Sequence, residues 1–378
     1  MKQRWNFRCY PTPEQEQVLA RTFGCVRYVY NHFLNERTQA FQQGERMNYL
    51  QSSAALTNLK RGPDHLWLNE VSSVPVQQSL RNLQTAFRNF FEKRTGYPSF
   101  KRKSGQQSAE YTRSGFRFEI GNQRLLLAKI GRLKVKWSRK VPVEPTSVTV
   151  IHKPSGRYFV SMVVDVKSAP LPATGQNVGI DFGINRLATL STGETVANPR
   201  YLDKYHQRMK RAQQDLSRKK KGSTRYNKQK VKLAKLHEKI ANSRKDTLNK
   251  LAWNLNTRFD LICVEDLALR NMTKNHCLAR SLNDASIGAA IRAIEAKAAM
   301  HGKQVVKVDR WFPSSKLCSR CGVLQESLPL NIRQWSCDCG AIHDRDENAA
   351  INILRAGQAL HGDGVRATCS SEPEAVCL

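Results

Sequence analysis

Acidic residues are in short supply in this chain. Only 31 Asp and Glu face 62 Lys and Arg over 378 residues, leaving a formal net charge of +31. Solubility requires far less, so the imbalance points to a polyanionic partner. Long apolar runs are missing too: none approaches the roughly 18 residues of a membrane-spanning helix, which sets lipid aside as the rival polyanion. The opening MKQRWNFRCYPTP has no signal-peptide core. The ten cysteines are unevenly spread, with four between 318 and 339. That excludes a secreted disulfide framework and suits metal ligation in a reducing cytoplasm. No internal repeat is evident, and the length allows two or three domains with cores of their own.

Against this scarcity, three acidic stretches stand out. Asp181 lies inside the apolar run VGIDFGINRLATL, Glu265 ends the run LICVEDL, and Asp344 and Asp346 open HDRDENAAINI. Taken singly, Asp181 reads equally well as a strand-edge turn residue, Glu265 as a surface acid beside Asp266, and Asp346 as an N-cap. A carboxylate in an apolar strand is nevertheless unfavourable unless paired or metal-bound. Three of them suit the holding of two hard divalent cations about 3.5–4 Å apart for attack on a phosphodiester. Element order favours that joint reading. A three-strand meander from NVGIDFG to ETVANP precedes a long helical stretch and the Glu265 strand. The helix SIGAAIRAIEAKAAMHG, the strand QVVKVDRWF and a last helix follow. This is the RNase H-like order, a mixed sheet flanked by helices with acids at strand ends.

In chain order, KQRWNFRCY reads as a strand, and TPEQ starts a helix with a capping box from Thr12 to Gln15 and Pro13 at its first position. A second amphipathic helix covers roughly 74–94, with Val76, Leu80, Leu83, Phe87 and Phe90 on one face and a basic face suited to phosphate. From 95 to 165, short alternating stretches between turn signals predict a small β-barrel to which the first strand belongs. SAPLPATGQ reads as a linker. Between Lys204 and Lys250 only Asp215, Glu238 and Asp246 oppose the basic residues, and Gly222 interrupts the helical pattern. A hairpin charged this one-sidedly repels itself unless nucleic acid neutralises it.

The most specific local signal is Cys318-x2-Cys321 followed, after fifteen residues, by Cys337-x-Cys339. Two close thiolate pairs match a tetrahedral Zn²⁺ site, structural because four thiolates leave no open position, with His343 in reserve should Cys339 fail to reach. Cys9, Cys25, Cys263, Cys277, Cys369 and Cys377 have no such partners.

RCYPTPEQ, GCVRYVYNHFL, GYPSFKRK, GIDFGINRLATL, VEDLALRNM, FPSSKLCSRCG and HDRDENAAINI together resemble the TnpB (OrfB) family, transposon-encoded proteins related to type V CRISPR effector nucleases. The resemblance runs from about Arg8 to Leu354. It implies an α+β multidomain protein: a wedge β-barrel (1–11 and 108–168), a helical recognition domain (12–107), and an RNase H-like (RuvC) nuclease domain (174–356). The last carries a basic helical hairpin (204–250) and an inserted zinc ribbon (314–343), and the tail 357–378 matches nothing and reads as disordered. It implies an endonuclease that binds a guide RNA from the transposon end, one protein per guide RNA, in the cytoplasm. Such a protein recognises a short motif in double-stranded target DNA and cuts both strands at one RuvC site with two Mg²⁺. By motif match the catalytic acids are Asp181, Glu265 and Asp346, since D-x-N-A-A selects Asp346 and leaves Asp344 to cap the helix. The motif-reading positions match Tyr49, Ser53, Ser73 and Gln77, and Gln suits a bidentate pair with adenine. The C-x-C knuckle departs from the commoner C-x2-C. Two competing readings are a guide-independent transposase and a zinc-stabilised, non-catalytic nucleic-acid binder.

Overall fold

A computed structural model describes residues 1–167, 169–329 and 331–369, with side chains described to residue 362. The chain divides into two compact units; Met1–Lys167 with Lys230–Lys235 form the first and the remainder forms the second.

In the first unit, strand β1 (Lys2–Tyr10) is followed by helices α1 (Pro13–Gln42), α2 (Tyr49–Leu59) and α3 (Ser73–Phe91), with a 3-10 turn at Pro63–Asn69. The capping box on α1 is formed, Thr12 and Gln15 each bonding the other's backbone N–H, with Pro13 at the helix start. Six strands complete the unit: β2 (Gln107–Thr112), β3 (Phe116–Glu119), β4 (Arg124–Leu127), β5 (Gly131–Lys136), β6 (Ser147–His152) and β7 (Tyr158–Asp165). Their order is β2-β6-β7-β1-β5-β4-β3. The edge strands β2 and β3 are joined by the three-residue turn Arg113–Gly115, so the sheet is a nearly closed barrel. Phe7, Tyr111, Val148 and Met162 fill it. The 30-residue α1 serves two cores, with Leu19, Phe23 and Val26 against the barrel and Val29, Phe33 and Leu34 against α2 and α3.

The second unit is built on a mixed five-stranded sheet. It contains β8 (Asn177–Phe182), β9 (Arg186–Leu190), β10 (Thr195–Ala197), α4 (Tyr201–Ser217), α5 (Thr224–Arg258, apart from Lys230–Lys235) and β11 (Leu261–Glu265). Then follow α6 (Leu269–Met272), α7 (His276–Ala285), α8 (Ile287–His301), β12 (Gln304–Val308), β13 (Gln334–Ser336), β14 (Ile342–Asp344) and α9 (Arg345–Cys369). The order is β10-β9-β8-β11-β12, antiparallel through β8 and parallel beyond it. Gly222, with φ of 84°, separates α4 from α5. The segment after the first unit is pinned down: Asp260 accepts N–H bonds from Thr174 and Gly175 and pairs with Lys303, which also donates to the Pro172 carbonyl. Among the described residues, no helix is long and apolar enough to cross a membrane.

Strand alternation divides the sheet. Val178, Ile180, Ile262 and Val264 face α5 and α8, whereas Leu261 and Cys263 pack with Ile353 of α9 on the other side. A disordered tail beginning at 357 is not what the structure contains: α9 continues to Cys369, and the rest of that tail, residues 370–378, lies outside the described part. Within α9, Gly357 packs closely on strand β11; a Cβ there would meet Cys263 Sγ at 2.3 Å. Gly179 on β8 permits an even closer approach, since its Cβ would lie 2.1 Å from the Ala350 carbonyl oxygen of α9. Relief would need a backbone shift. Gly179→Ala therefore destabilises the chain by about 3 kcal/mol or more, read as a lowered thermal midpoint. The control Gly24→Ala, in α1 with open space around the added methyl, is neutral or mildly stabilising.

Candidate functional site: a carboxylate pocket beside a cysteine cluster

The same close contact positions the acids. In the parallel β8–β11 register, Val264 lies opposite Ile180, so the next residues, Glu265 at the end of β11 and Asp181 one residue short of the end of β8, share the α9 face. Helix α9 runs counter to β8: Ala350 lies over Gly179, and Asp346, one turn earlier, lies over Asp181. Two strand residues advance roughly 6.6 Å and one helical turn 5.4 Å, which matches the two. Asp181, Glu265 and Asp346 thus line one pocket of about 460 Å³, shared with the segment Arg310–Lys316. Asp344 does the capping, accepting the backbone N–H groups of Asp346 at 3.0 Å and Glu347 at 3.2 Å and pairing with Arg186.

The electrostatics are those of crowded like charge. Burial, then Asp346 and Glu265, push the Asp181 carboxyl from 3.8 up to about 7, against the pull of Arg345 and Arg333. Glu265 is also raised, by burial and by Asp266. Arg333 bonds Asp346 at 3.2 Å, and Arg310 pairs with Asp266 at the rim. These arginines carry no sequence motif of their own; they are found only through the fold. An all-oxygen set of carboxylates is the donor chemistry that hard divalent cations take; among the described residues, only the cysteines already stand close enough together to share one ion.

The four cysteines also meet. Sγ of Cys318, Cys321, Cys337 and Cys339 all lie within 4.8 Å of one another, with Cys318–Cys339 at 3.8 Å and Cys321–Cys337 at 3.5 Å. Tetrahedral metal–sulfur bonds of about 2.3 Å require sulfur separations near 3.8 Å, so the cluster fits a metal ion. Both knuckles turn through a left-handed glycine, Gly322 (φ 78°) and Gly340 (φ 81°), so the one-residue-shorter second pair still brings both thiols in. His343 is a neighbour rather than a replacement, its Nε2 3.1 Å from Cys318 Sγ.

Helix α9 joins cluster to pocket. Asn348 and Asn352, 1% and 2% exposed, donate to the Leu317 carbonyl at 2.8 and 2.6 Å. Asn348 also accepts the Ser319 N–H at 2.9 Å, and Arg355 bonds the Ser319 carbonyl. Residues 348, 352 and 355 share one helix face and hold the segment that both roofs the acids and enters the first knuckle. In the first unit, Ser53, Ser73 and Gln77 line one hollow of about 200 Å³ with Lys60, Arg61 and Asn69. Tyr49 is not among them; its hydroxyl accepts from Arg81 at 3.2 Å in a separate hollow.

Comparison with known proteins defines the class first. The chain shares its fold with the protein of a solved Cas12f1–sgRNA–target DNA complex (TM-score 0.61, 12% identity, 94% of this chain and 98% of that one). It shares it also with the mini-RNA-guided endonuclease CRISPR-Cas_phi3 (TM-score 0.53, 9% identity, 94% and 92%). Residues 159–276 match the IS605 OrfB family, described as "Probable transposase", and 288–353 match the Cas12f1-like TNB domain. Residues 1–46 match that family's helix-turn-helix domain, although here they form strand β1 and the single helix α1. A Streptomyces pristinaespiralis protein named as an RNA-guided DNA endonuclease is 49% identical over 97% of this chain and 92% of its own length. An Escherichia coli K12 protein of like name is 31% identical over 95% and 93%. The chain belongs to the OrfB (TnpB) family.

The raised Asp181 carboxyl has a sign that can be tested. A carboxyl with a raised folded-state pKa opposes folding as pH climbs from 3.8 toward 7, and the loss is complete above about 7. In chelator, Asp181→Asn therefore unfolds at a higher temperature than the native chain at pH 8, and the two converge near pH 4. Added divalent cation raises the midpoint of the native chain and not of the variant.

Proposed function

We propose that this protein is an RNA-guided DNA endonuclease: it carries a guide RNA from the transposon end and cuts target DNA at the Asp181–Glu265–Asp346 pocket. The observation that carries the reading is the convergence of three carboxylates in one pocket of a chain whose net charge is +31. A purely binding protein of that charge gains nothing from massed acid where phosphate must approach. The names of the full-length relatives support the guided reading.

In this reading the second unit holds an RNase H-like (RuvC) nuclease domain, with α4 and α5 as its basic hairpin and residues 314–343 as a zinc ribbon. The barrel of the first unit is the wedge, and α1–α3 form the recognition domain. Asp181, Glu265 and Asp346 would hold two Mg²⁺. Bound there, the ions supply activation of water and stabilisation of the leaving oxygen. The chain's own residues do the rest. The α9 N-terminus adds the positive end of its dipole beside the acids. Arg333 pairs with Asp346 and offsets part of the negative charge of the acids. Cys318, Cys321, Cys337 and Cys339 hold one structural Zn²⁺, and through Asn348 and Asn352 its loop keeps the pocket roof in register. Guide–target pairing supplies sequence specificity, and the protein reads the adjacent motif, with Ser53, Ser73, Gln77 and Tyr49 at the duplex. One protein serves one guide RNA, in the cytoplasm.

The test is to copurify the chain with RNA from its own transposon end and reprogram that guide. A plasmid bearing the matched target beside a randomised flank is then challenged with Mg²⁺ or with EDTA. Guide-dependent, Mg²⁺-dependent cutting beside one enriched flank is expected, and Asp181→Ala lowers it by roughly 100-fold or more. Bound RNA without cutting would move the protein to the class of nucleic-acid-binding regulators. Metal analysis of the purified complex should return one zinc per chain. Cys337→Ala should lose it and lower the thermal midpoint, and a full complement of zinc in that variant would refute the cysteine assignment.

A further inference from the structure

Trp311 is the most exposed of the large apolar side chains among the described residues, at 85%. Yet it does not sit on a loose loop. Its backbone N–H donates to Asp309 Oδ1 at 2.8 Å, and the Phe312 N–H closes the same turn on the Asp309 carbonyl at 3.1 Å. The residue before it, Arg310, is tied by an ion pair to Asp266, next to Glu265 on β11. The turn directly follows β12, the strand paired with β11. Hydrogen bonds and an ion pair are thus arranged to hold an indole out in solvent, where it contributes no burial to folding. Trp311 also lines the pocket that holds Asp181, Glu265 and Asp346.

We infer that Trp311 is a stacking platform for an unpaired base of the strand being cut. The inference rests on the endonuclease reading and adds to it a substrate-positioning residue. Charge around the indole is complementary to a nucleotide. Lys316 and Arg345 line the same pocket, and each is oriented by main-chain carbonyls, those of Glu326 and Pro329, which leave its positive charge intact. A base on the indole places its flanking phosphate among those cations and beside the carboxylates. An aromatic plane can engage any base, because every base has a π-face. In a duplex those faces are already stacked on neighbouring pairs, so only an unpaired nucleotide can offer one.

The experiment uses the full chain with its guide RNA and compares wild type, Trp311→Ala and Trp311→Phe on matched target DNA. Trp311→Ala is expected to lower kcat/KM by roughly 5- to 150-fold, the range set by the stacking of one base on one ring, and Trp311→Phe to retain most of the activity. The target strand is also prepared with a single abasic site moved stepwise through the cut region. In wild type, one position should reproduce the loss caused by Trp311→Ala. In Trp311→Ala, that same abasic site should add nothing, because the two changes remove one interaction. Equal cutting by wild type and Trp311→Ala overturns the inference. So does an abasic loss that persists undiminished in the variant.

Should wild type fail to cut guided DNA at all, the endonuclease reading fails separately. The stacking is then read directly as quenching of the fluorescence that distinguishes wild type from Trp311→Phe. Quenching by single-stranded but not duplex oligonucleotide sustains it, and equal or absent quenching overturns it.

Discussion

The second unit is arranged around a contact that most folds avoid, a helix backbone pressed directly onto a β-strand. Gly179 and Gly357 make it possible, because any side chain there would overlap Ala350 or Cys263. The contact fixes the axial position of α9 on β8, and with it the placement of Asp346 over Asp181. Without such a constraint, three like-charged groups would drift apart, since each gains by leaving the others. The Asp181 carboxyl is raised accordingly, first by its burial and then by Asp346 and Glu265.

The same helix carries a second duty. Its amide side chains at 348 and 352, fully buried, grip main-chain carbonyls of the segment that roofs the acids and leads into Cys318. The cysteine cluster and the carboxylate pocket are therefore parts of one arrangement. A buried asparagine that lost its carbonyl partner would be left unsatisfied in the interior, so the two parts are coupled energetically as well as spatially.

The positive charge around the pocket is graded rather than uniform. Arg333 contacts Asp346 directly, Arg310 is neutralised at the rim by Asp266, and Arg345 and Lys316 are oriented by carbonyl oxygens. A massed acidic site on a basic protein needs such an intermediate layer, because bare carboxylates would repel the phosphate backbone that the rest of the chain attracts.

Much of this was legible in the residues. The strand at 2–10, the Thr12 capping box, the break at Gly222 and the meander around Asp181 follow from short-range rules of side-chain period, capping and turn chemistry. Cysteine spacing alone brought four thiols together, because each pair needs only its own knuckle. A motif preferred Asp346 to Asp344, and the helix register sets Asp346 in the pocket with Asp181 while Asp344 caps α9. Sequence did not place α7, Tyr49's separation from Gln77, or the helical continuation past Gly357, since each depends on packing against residues far along the chain. The arginines at 310, 333 and 345 look like any others in so basic a sequence. Only tertiary structure set them beside carboxylates, because an ion pair between positions dozens of residues apart leaves no local pattern.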